Sequence, residues 1–329
     1  MAKIPFTIHA HYIFELIERQ AQSPVHAFVE LIMNSVDAGA TAVKINMQSI
    51  GEGARKSVTF KVEDDGKGFT QKSIKEYFAS FGNPHEKGDA IFAQHRLGRG
   101  TLFYYAETTW RSNTFEMGVD LVSAIKNKDI EGVGFEFKRG CKKVDGCIIE
   151  GSFYKEHDET YLEQIDDIEL FKKELSKAIR YLKVPVIFNG KLINQIDYSK
   201  IDTKYCQLIE TETATYIIDS RKRELKVYNQ GVNVKYAIFA EALFGGVVIT
   251  KQNMTLNISR NEPSSDCCVW SQIQKEYKIE IEPDLLKNRA DILDIYKRKT
   301  PWETFQSLIG GKIRFDILYS AELLEFIVN

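Results

Sequence analysis

No stretch of this sequence approaches the roughly 20 consecutive apolar residues that a membrane-spanning helix needs, so no membrane partner is expected. The opening segment MAKIPFTIHAHYIFELIERQ has no long apolar run and carries acidic residues early, which does not fit a secretory leader. Cysteine is sparse and scattered: the five are Cys141, Cys147, Cys206, Cys267 and Cys268, with no CxxC pair. An odd, dispersed set argues for reduced thiols in a cytosol-like compartment, and a cytoplasmic protein is expected. Charge of one sign is also missing. Lys plus Arg total 44 against 46 Asp plus Glu, a formal net charge of -2. That balance fits neither a nucleic-acid polyelectrolyte nor a membrane-surface binder, although it leaves room for a local basic groove. Two nucleotide fingerprints are absent as well. There is no GxxxxGK[ST] phosphate loop and no GxGxxG following a strand.

What is present is enough apolar material, 43% of 329 residues, for more than one core. No internal repeat or low-complexity linker divides it. Residues 11–22 and 24–38 read as helices, the second stopped by Gly39. Alternating apolar residues predict two strands, one through Val43, Ile45 and Met47 and one through Val58, Phe60 and Val62. A helix over 71–81 and a Gly/Pro-containing stretch over 82–100 follow. Near 185 the pattern changes: two apolar runs flank Asn189-Gly190, the strongest short signal for a hairpin. Strands at 214–219 and 224–229, a helix near 236–243, an apolar run at 245–249 and a helix from about 266 complete the pass. The expected organisation is a domain over 1–184, a smaller one over 185–265 and a mainly helical tail over 266–329.

Three segments carry chemistry. In Glu30-Leu31-Ile32-Met33-Asn34-Ser35-Val36-Asp37, the residues Val25, Val29, Ile32 and Val36 share one helix face. Glu30, Asn34 and Asp37 share another, roughly 135° away on a 100° wheel. A solvated face is the bland alternative, but Asn is a mediocre helix former and makes no ion pair. In Val62-Glu63-Asp64-Asp65-Gly66-Lys67-Gly68, strand parity puts Asp64 on the core face with Val58, Phe60 and Val62. A carboxylate there needs partners, and the glycines permit tight turns and close approach of a ligand; a plain Asp-Gly turn is the alternative. In His95-Arg96-Leu97-Gly98-Arg99-Gly100-Thr101-Leu102, glycines open an apolar helix whose free N–H groups suit an anion.

In this order and spacing the three segments resemble the N, G1 and G2 boxes of the GHKL superfamily. That superfamily includes DNA gyrase B subunits, MutL-type repair proteins, ninety-kilodalton heat-shock chaperones, MORC proteins and histidine kinases. ELIMNSVDAGAT is similar to the chaperone and MutL versions. The resemblance implies an α+β fold: a Bergerat α/β sandwich, then a transducer-like domain resembling ribosomal protein S5, then the helical tail. It implies ATP as ligand and Mg²⁺ as cofactor. Glu30 would be the general base, Asn34 the metal ligand, and Asp64 the acceptor for the adenine amino group. Gly66 and Gly68 would shape the adenine pocket, Gly98 and Gly100 the phosphate loop, and Asp37 would act one layer behind. Residues 80–97 would be a mobile lid.

Further on, Phe244-Gly245-Gly246-Val247-Val248 and Met254-Thr255-Leu256-Asn257-Ile258-Ser259-Arg260 resemble the middle domain of those chaperones. By that resemblance Arg260 reaches the γ-phosphate, with Lys251 as the reserve cation and a surface arginine as the plain alternative. The sequence departs from the pattern at His95, where many G2 boxes begin with Gly, and at Cys147, where a Thr usually joins the adenine network. A thiol is a weak donor, so Cys147 bears on nucleotide affinity or selectivity. The function implied is slow, Mg-dependent ATP hydrolysis driving a lid and domain switch, chaperone-like or in DNA transactions. Its partner would be an unknown protein client or a second copy in a nucleotide-dependent homodimer; net charge lends DNA no support. The competing reading is a nucleotide-gated interaction module with negligible hydrolysis.

Overall fold

Ser23 and Pro24 start the helix on which most of the candidate chemistry sits. The Ser23 hydroxyl accepts from the His26 backbone N–H, and proline takes the first turn, where its missing donor is not needed. The computed structural model describes residues 10–51, 56–80, 92, 98–126, 134–155, 159–196, 198, 201, 203–222, 224–239, 242, 244–257 and 259–288. In chain order these give α1 (Ala10–Gln20), α2 (Pro24–Asp37), β1 (Val43–Ile50), β2 (Ser57–Asp64) and a short α3 (Gln71–Ser73). α3 continues as one wide π-type turn over Ile74–Phe78, so the helix expected over 71–81 is shorter and looser. Then come α4 (Gly98–Tyr105), β3 (Ala106–Val119), α5 (Leu121–Lys126), β4 (Glu136–Phe153), α6 (Glu159–Asp166) and α7 (Ile168–Ala178). β5 (Val186–Phe188) and β6 (Lys191–Leu192) close the first unit.

Its sheet has six strands in the order β3-β4-β2-β1-β5-β6, mixed because β5 runs parallel to β1 while the other pairs are antiparallel. Inward residues of β1 and β2, Val43, Ile45, Met47, Val58, Phe60 and Val62, are buried. Lys44, Asn46 and Gln48 alternate outward, as a sheet with one covered face requires. α2 is enclosed rather than half-exposed. Phe28, Leu31 and Ile32 are buried on different sides of it, while Val25 and Val36 are only half-buried. The single packing stripe expected over 25, 29, 32 and 36 is therefore too narrow, because α4 and α7 both pack on this helix.

The second unit comprises β7 (Cys206–Glu210), β8 (Ala214–Asp219), β9 (Leu225–Asn229), β10 (Val232–Ile238) and β11 (Gly245–Thr250), in the order β10-β9-β11-β8-β7. α8 (Cys268–Glu276), a π-type turn over Tyr277–Ile281 and α9 (Glu282–Asn288) follow it. Ile273, Tyr277, Ile281 and Leu285 share a core with Tyr216, Val227, Phe244 and Val248. Tyr277 also donates its hydroxyl to the Phe244 carbonyl at 2.6 Å. The described part of the expected tail is thus packed onto the second sheet.

Two further expectations change. Asn189 and Gly190 both take positive φ, 46° and 76°, as a tight hairpin turn demands. The hairpin, however, belongs to the first sheet: β5 pairs with β1, and the Asn189 amide exchanges hydrogen bonds with Met47 N (2.9 Å) and O (3.0 Å). The first sheet therefore runs past the boundary expected at 184. Where a helix is expected near 236–243, strand β10 continues to Ile238, and the described residues Phe239 and Ala242 belong to no helix. A register shift between Asn233 and Ile238 leaves Val234 and Ala237 both buried, three residues apart, a spacing that reads as helical.

Candidate functional site

Glu30 is buried at 2% exposure, so the solvated-face alternative for its helix face does not hold. One carboxylate oxygen accepts from Arg260 Nη1 at 2.7 Å, across 230 residues of sequence. The other lies 3.6 Å from His26 Nε2, one turn earlier on α2. Both side chains of the Arg260–Glu30 pair are largely sealed, at 9% and 3% exposure. Only Nη1 of the guanidinium has a side-chain partner among the described residues, which leaves Nε and Nη2 available to an anion.

The loop after β11 delivers Arg260 through a demanding local geometry. Arg260 sits at φ 54°, a left-handed conformation that is uncommon outside Gly and Asn and persists only where surroundings enforce it. Asn257 and Asn261 supply that enforcement: Asn257 Nδ2 donates to Asn261 Oδ1 (2.7 Å), and Asn261 N donates to Asn257 Oδ1 (3.1 Å). Tyr236 N of β10 donates to Asn261 O (2.8 Å), and Gln22 Nε2 donates to Ser259 O (2.7 Å). His26, Glu30 and Asn34 thus form a file at every fourth position of α2, and Gln22, just before the helix, faces this loop together with His26 and Glu30. Gln22 and His26 were missed in the sequence reading. The four-residue recurrence of polar side chains was the available signal.

Asp64 ends β2 between Val43 of β1 and Cys147 of β4. One oxygen accepts from Ser35 Oγ at 2.9 Å and the other from Gly66 N at 3.0 Å. Burial pushes its carboxyl above the ordinary value, and those two hydrogen bonds work against that shift. Asp65, facing solvent, behaves oppositely. Its hydrogen bonds to the Thr41 hydroxyl and to the backbone of Ala42 and Thr41 hold it down at about 2. Cys147 is buried beside Asp64, and its thiol is held well above the usual range, first by burial and then by that carboxylate.

The glycines here answer to sterics. A Cβ on Gly66 would lie 2.9 Å from Ala38 Cβ, and one on Gly68 would collide with Ser112 Oγ and the Gly146 carbonyl. Gly68 and Gly146 also take φ of 62° and 74°, which L side chains rarely adopt. Ser112 ties this corner together, donating to Gly146 O (2.6 Å) and accepting from Phe69 N (2.8 Å).

Asn34 is half-buried beside Glu30, and its side chain makes no hydrogen bond among the described residues. Asp37 Oδ1 accepts from Phe92 N at 2.9 Å, so it holds the buried Phe92 of the segment expected to form a lid. The rest of the lid segment from 81, including His95, lies outside the described residues. Gly98 and Gly100 open α4, as expected. Between them Arg99 turns back, donating to the Phe78 carbonyl at 3.3 Å and to that of Ser80, with its guanidinium 5.9 Å from the Phe78 ring. Lys251 is engaged elsewhere, 2.7 Å from Glu210.

Comparison with known proteins gives three findings. Residues 22–119 match the family model described as histidine kinase-, DNA gyrase B- and HSP90-like ATPase. No curated protein matches the chain. Among solved structures it is similar to a crystal structure of the N-terminal domain of a DNA repair protein, at 11% identity and a TM-score of 0.48. That match covers 83% of this chain and 99% of the other.

Proposed function

We propose, taking residues 22–119 as a domain of the histidine kinase-, DNA gyrase B- and HSP90-like ATPase family, that this chain binds ATP with Mg²⁺ and hydrolyses it slowly. Hydrolysis would reset a conformational state of the two units. The observation that carries the hydrolytic part is the 2.7 Å contact between Arg260 of the second unit and Glu30 of the first. A base and a cation held together in a sealed spot suit phosphoryl transfer to water, which needs positioning and charge compensation.

The residues fit the ligand class. Asp64, fixed by Ser35 and Gly66, keeps a second lone pair on each oxygen for an exocyclic amino group. Gly66, Gly68 and Gly146 let the chain pack closely on Ala38, Ser112 and the Asp64 backbone, which fixes the corner that holds the Asp64 carboxylate. Asn34 offers an amide oxygen with no protein partner among the described residues, which suits a hard cation, so Asn34 would hold Mg²⁺ together with phosphate oxygens. The metal supplies charge neutralisation at the phosphates. Glu30 orients a water and accepts its proton. Arg260 offers Nε and Nη2 to the terminal phosphate while Nη1 stays with Glu30. Asp37 holds the lid segment at Phe92, and Gly98 and Gly100, at the start of α4, would place the helix N-terminus toward phosphate.

One observation favours a second reading. Pairing with Arg260 stabilises the Glu30 carboxylate as an anion and weakens it as a base, so a persistent ion pair would leave a nucleotide-gated interaction module with negligible turnover. ATP binding and turnover with Mg²⁺, measured on wild type and Glu30→Ala, separate the readings. Binding by both with turnover only in wild type supports the ATPase. Binding without turnover in either supports the gated module, and no binding by either refutes both. The client or partner, protein or DNA, and homodimerisation on ATP binding belong to the same proposal, tested by size and partner capture with and without nucleotide.

A further inference from the structure

The geometry points to His26 as the group that carries the hydrolytic proton away from Glu30 into the cavity between the two units. This rests on Glu30 being the base. A carboxylate at 3% exposure that takes a proton from water must lose it again before the next turnover, and it has few neighbours to give it to. Arg260, on one oxygen, is a permanent donor and accepts nothing. His26 Nε2, 3.6 Å from the other oxygen, is the titratable acceptor beside it. That distance is just beyond a direct hydrogen bond, and such contacts commonly tighten when substrate is bound.

The far side of the imidazole has somewhere to deliver a proton. His26 lines a cavity of about 610 Å³ bounded by α2, α7, β10 and the Arg260 loop, with Val29, Lys235 and Asn261 among its walls. Its side chain is 21% exposed, against 3% for Glu30, so the ring bridges a sealed carboxylate and a wet space. The charged groups facing it are Glu30 on its own helix, Arg260 on the loop and Lys235 on β10, while Glu174 of α7 lines the same cavity. Burial, the largest influence, lowers the His26 pKa from 6.5; Arg260 and Lys235 lower it as well, and Glu30 opposes them. The ring is therefore neutral near pH 7 and ready to accept.

The step balances without any further reactant. The attacking water gives its oxygen to the γ-phosphorus and one proton to Glu30. The bond from that phosphorus to the bridging oxygen breaks and leaves its electron pair on ADP. The proton then passes from Glu30 to His26 Nε2 and from the ring to water in the cavity, and nothing is oxidised or reduced.

The test is the pH profile of ATP turnover in wild type, His26→Ala and His26→Gln, with and without added imidazole. Since the neutral ring is the acceptor, wild-type turnover falls as pH drops below 6.5 through the His26 pKa. In both variants turnover falls about a hundredfold or more at neutral pH, within the range for a positioned proton carrier. The acid limb disappears, ATP affinity is unchanged, and imidazole diffusing into the cavity of His26→Ala restores rate in proportion to its neutral form. A second readout needs no nucleotide. The His26 imidazole, assigned in the NMR spectrum by its loss in His26→Gln, titrates lower in Glu30→Gln, because the carboxylate that raised its pKa is gone. Variants that bind ATP normally yet keep wild-type rate and acid limb overturn the proposal, as does failure of imidazole to rescue His26→Ala. An unshifted His26 titration in Glu30→Gln overturns it too. A wild type that binds ATP without turnover overturns the ATPase reading itself, and this proposal with it.

Discussion

Replacing Arg260 by methionine removes the charge that compensates Glu30 while keeping most of the side-chain volume. Breaking a buried ion pair by deleting one partner costs about 3–5 kcal/mol, mainly from the charge left behind. At 3% and 9% exposure this pair is sealed, but the roughly 610 Å³ cavity beside Arg260 admits water to one side, which argues for the low end, about 3 kcal/mol. In a chain of this size each kcal/mol moves the melting temperature by about 2–4 °C, so a fall of roughly 6–12 °C is expected. Some strain is relieved at the same time, since Arg260 sits at φ 54°; a more mobile loop offsets part of the loss. The diagnostic comparison is the double variant Glu30→Gln/Arg260→Met. With both charges gone the site holds no unpaired charge, so the double variant should melt above Arg260→Met. Differential scanning calorimetry at pH 7 on wild type, both single variants and the double closes the cycle. Additive single-variant effects would refute the claim that this pair couples the two units, as would an Arg260→Met melting point within 1–2 °C of wild type.

Two other outcomes follow from the Asp64 corner. Asp64→Asn keeps the shape but weakens the acceptor and its hydrogen bonds from Ser35 and Gly66. ATP affinity should fall by about tenfold or more, in line with the 1.5–3 kcal/mol carried by hydrogen bonds to charged groups; calorimetric titration giving wild-type affinity would remove the adenine assignment. Gly146→Ala forces a Cβ into the Asp64 carbonyl at a φ of 74°. It should destabilise the first unit by about 1–3 kcal/mol or more, read by urea denaturation, and a neutral result would show that this bend in β4 yields freely.

How much was legible varies by element, for physical reasons. The strands around Val43 and Val58, the helix on which Glu30 and Asn34 sit, and the hairpin turn at Asn189-Gly190 are local patterns whose signals lie within a few residues. Strand parity also put Asp64 on the core side, and its burial and two hydrogen bonds follow from that position. The bulge in β10 defeated the same reasoning, because one register slip gives a strand the spacing of a helix. The Asn189-Gly190 turn announced a hairpin without saying which sheet it would join, since a parallel partner such as β1 is chosen by non-local packing.

By itself, then, the sequence determined the periodic elements and the three segments that bear chemistry, because propensity, turn geometry and alternation act over a handful of residues. The tertiary structure decided what meets. Arg260 reaches Glu30 across 230 residues, Gln22 grips the carbonyl of Ser259, and Asp37 holds Phe92. His26, an ordinary helix residue in sequence, lies between a sealed carboxylate and an open cavity. Apart from the one-turn spacing of His26 and Glu30, none of these contacts is encoded in local spacing. The contacts of Arg260 and Gln22 depend on how two separately cored units dock, which is fixed by the shape and polarity of surfaces assembled from distant parts of the chain.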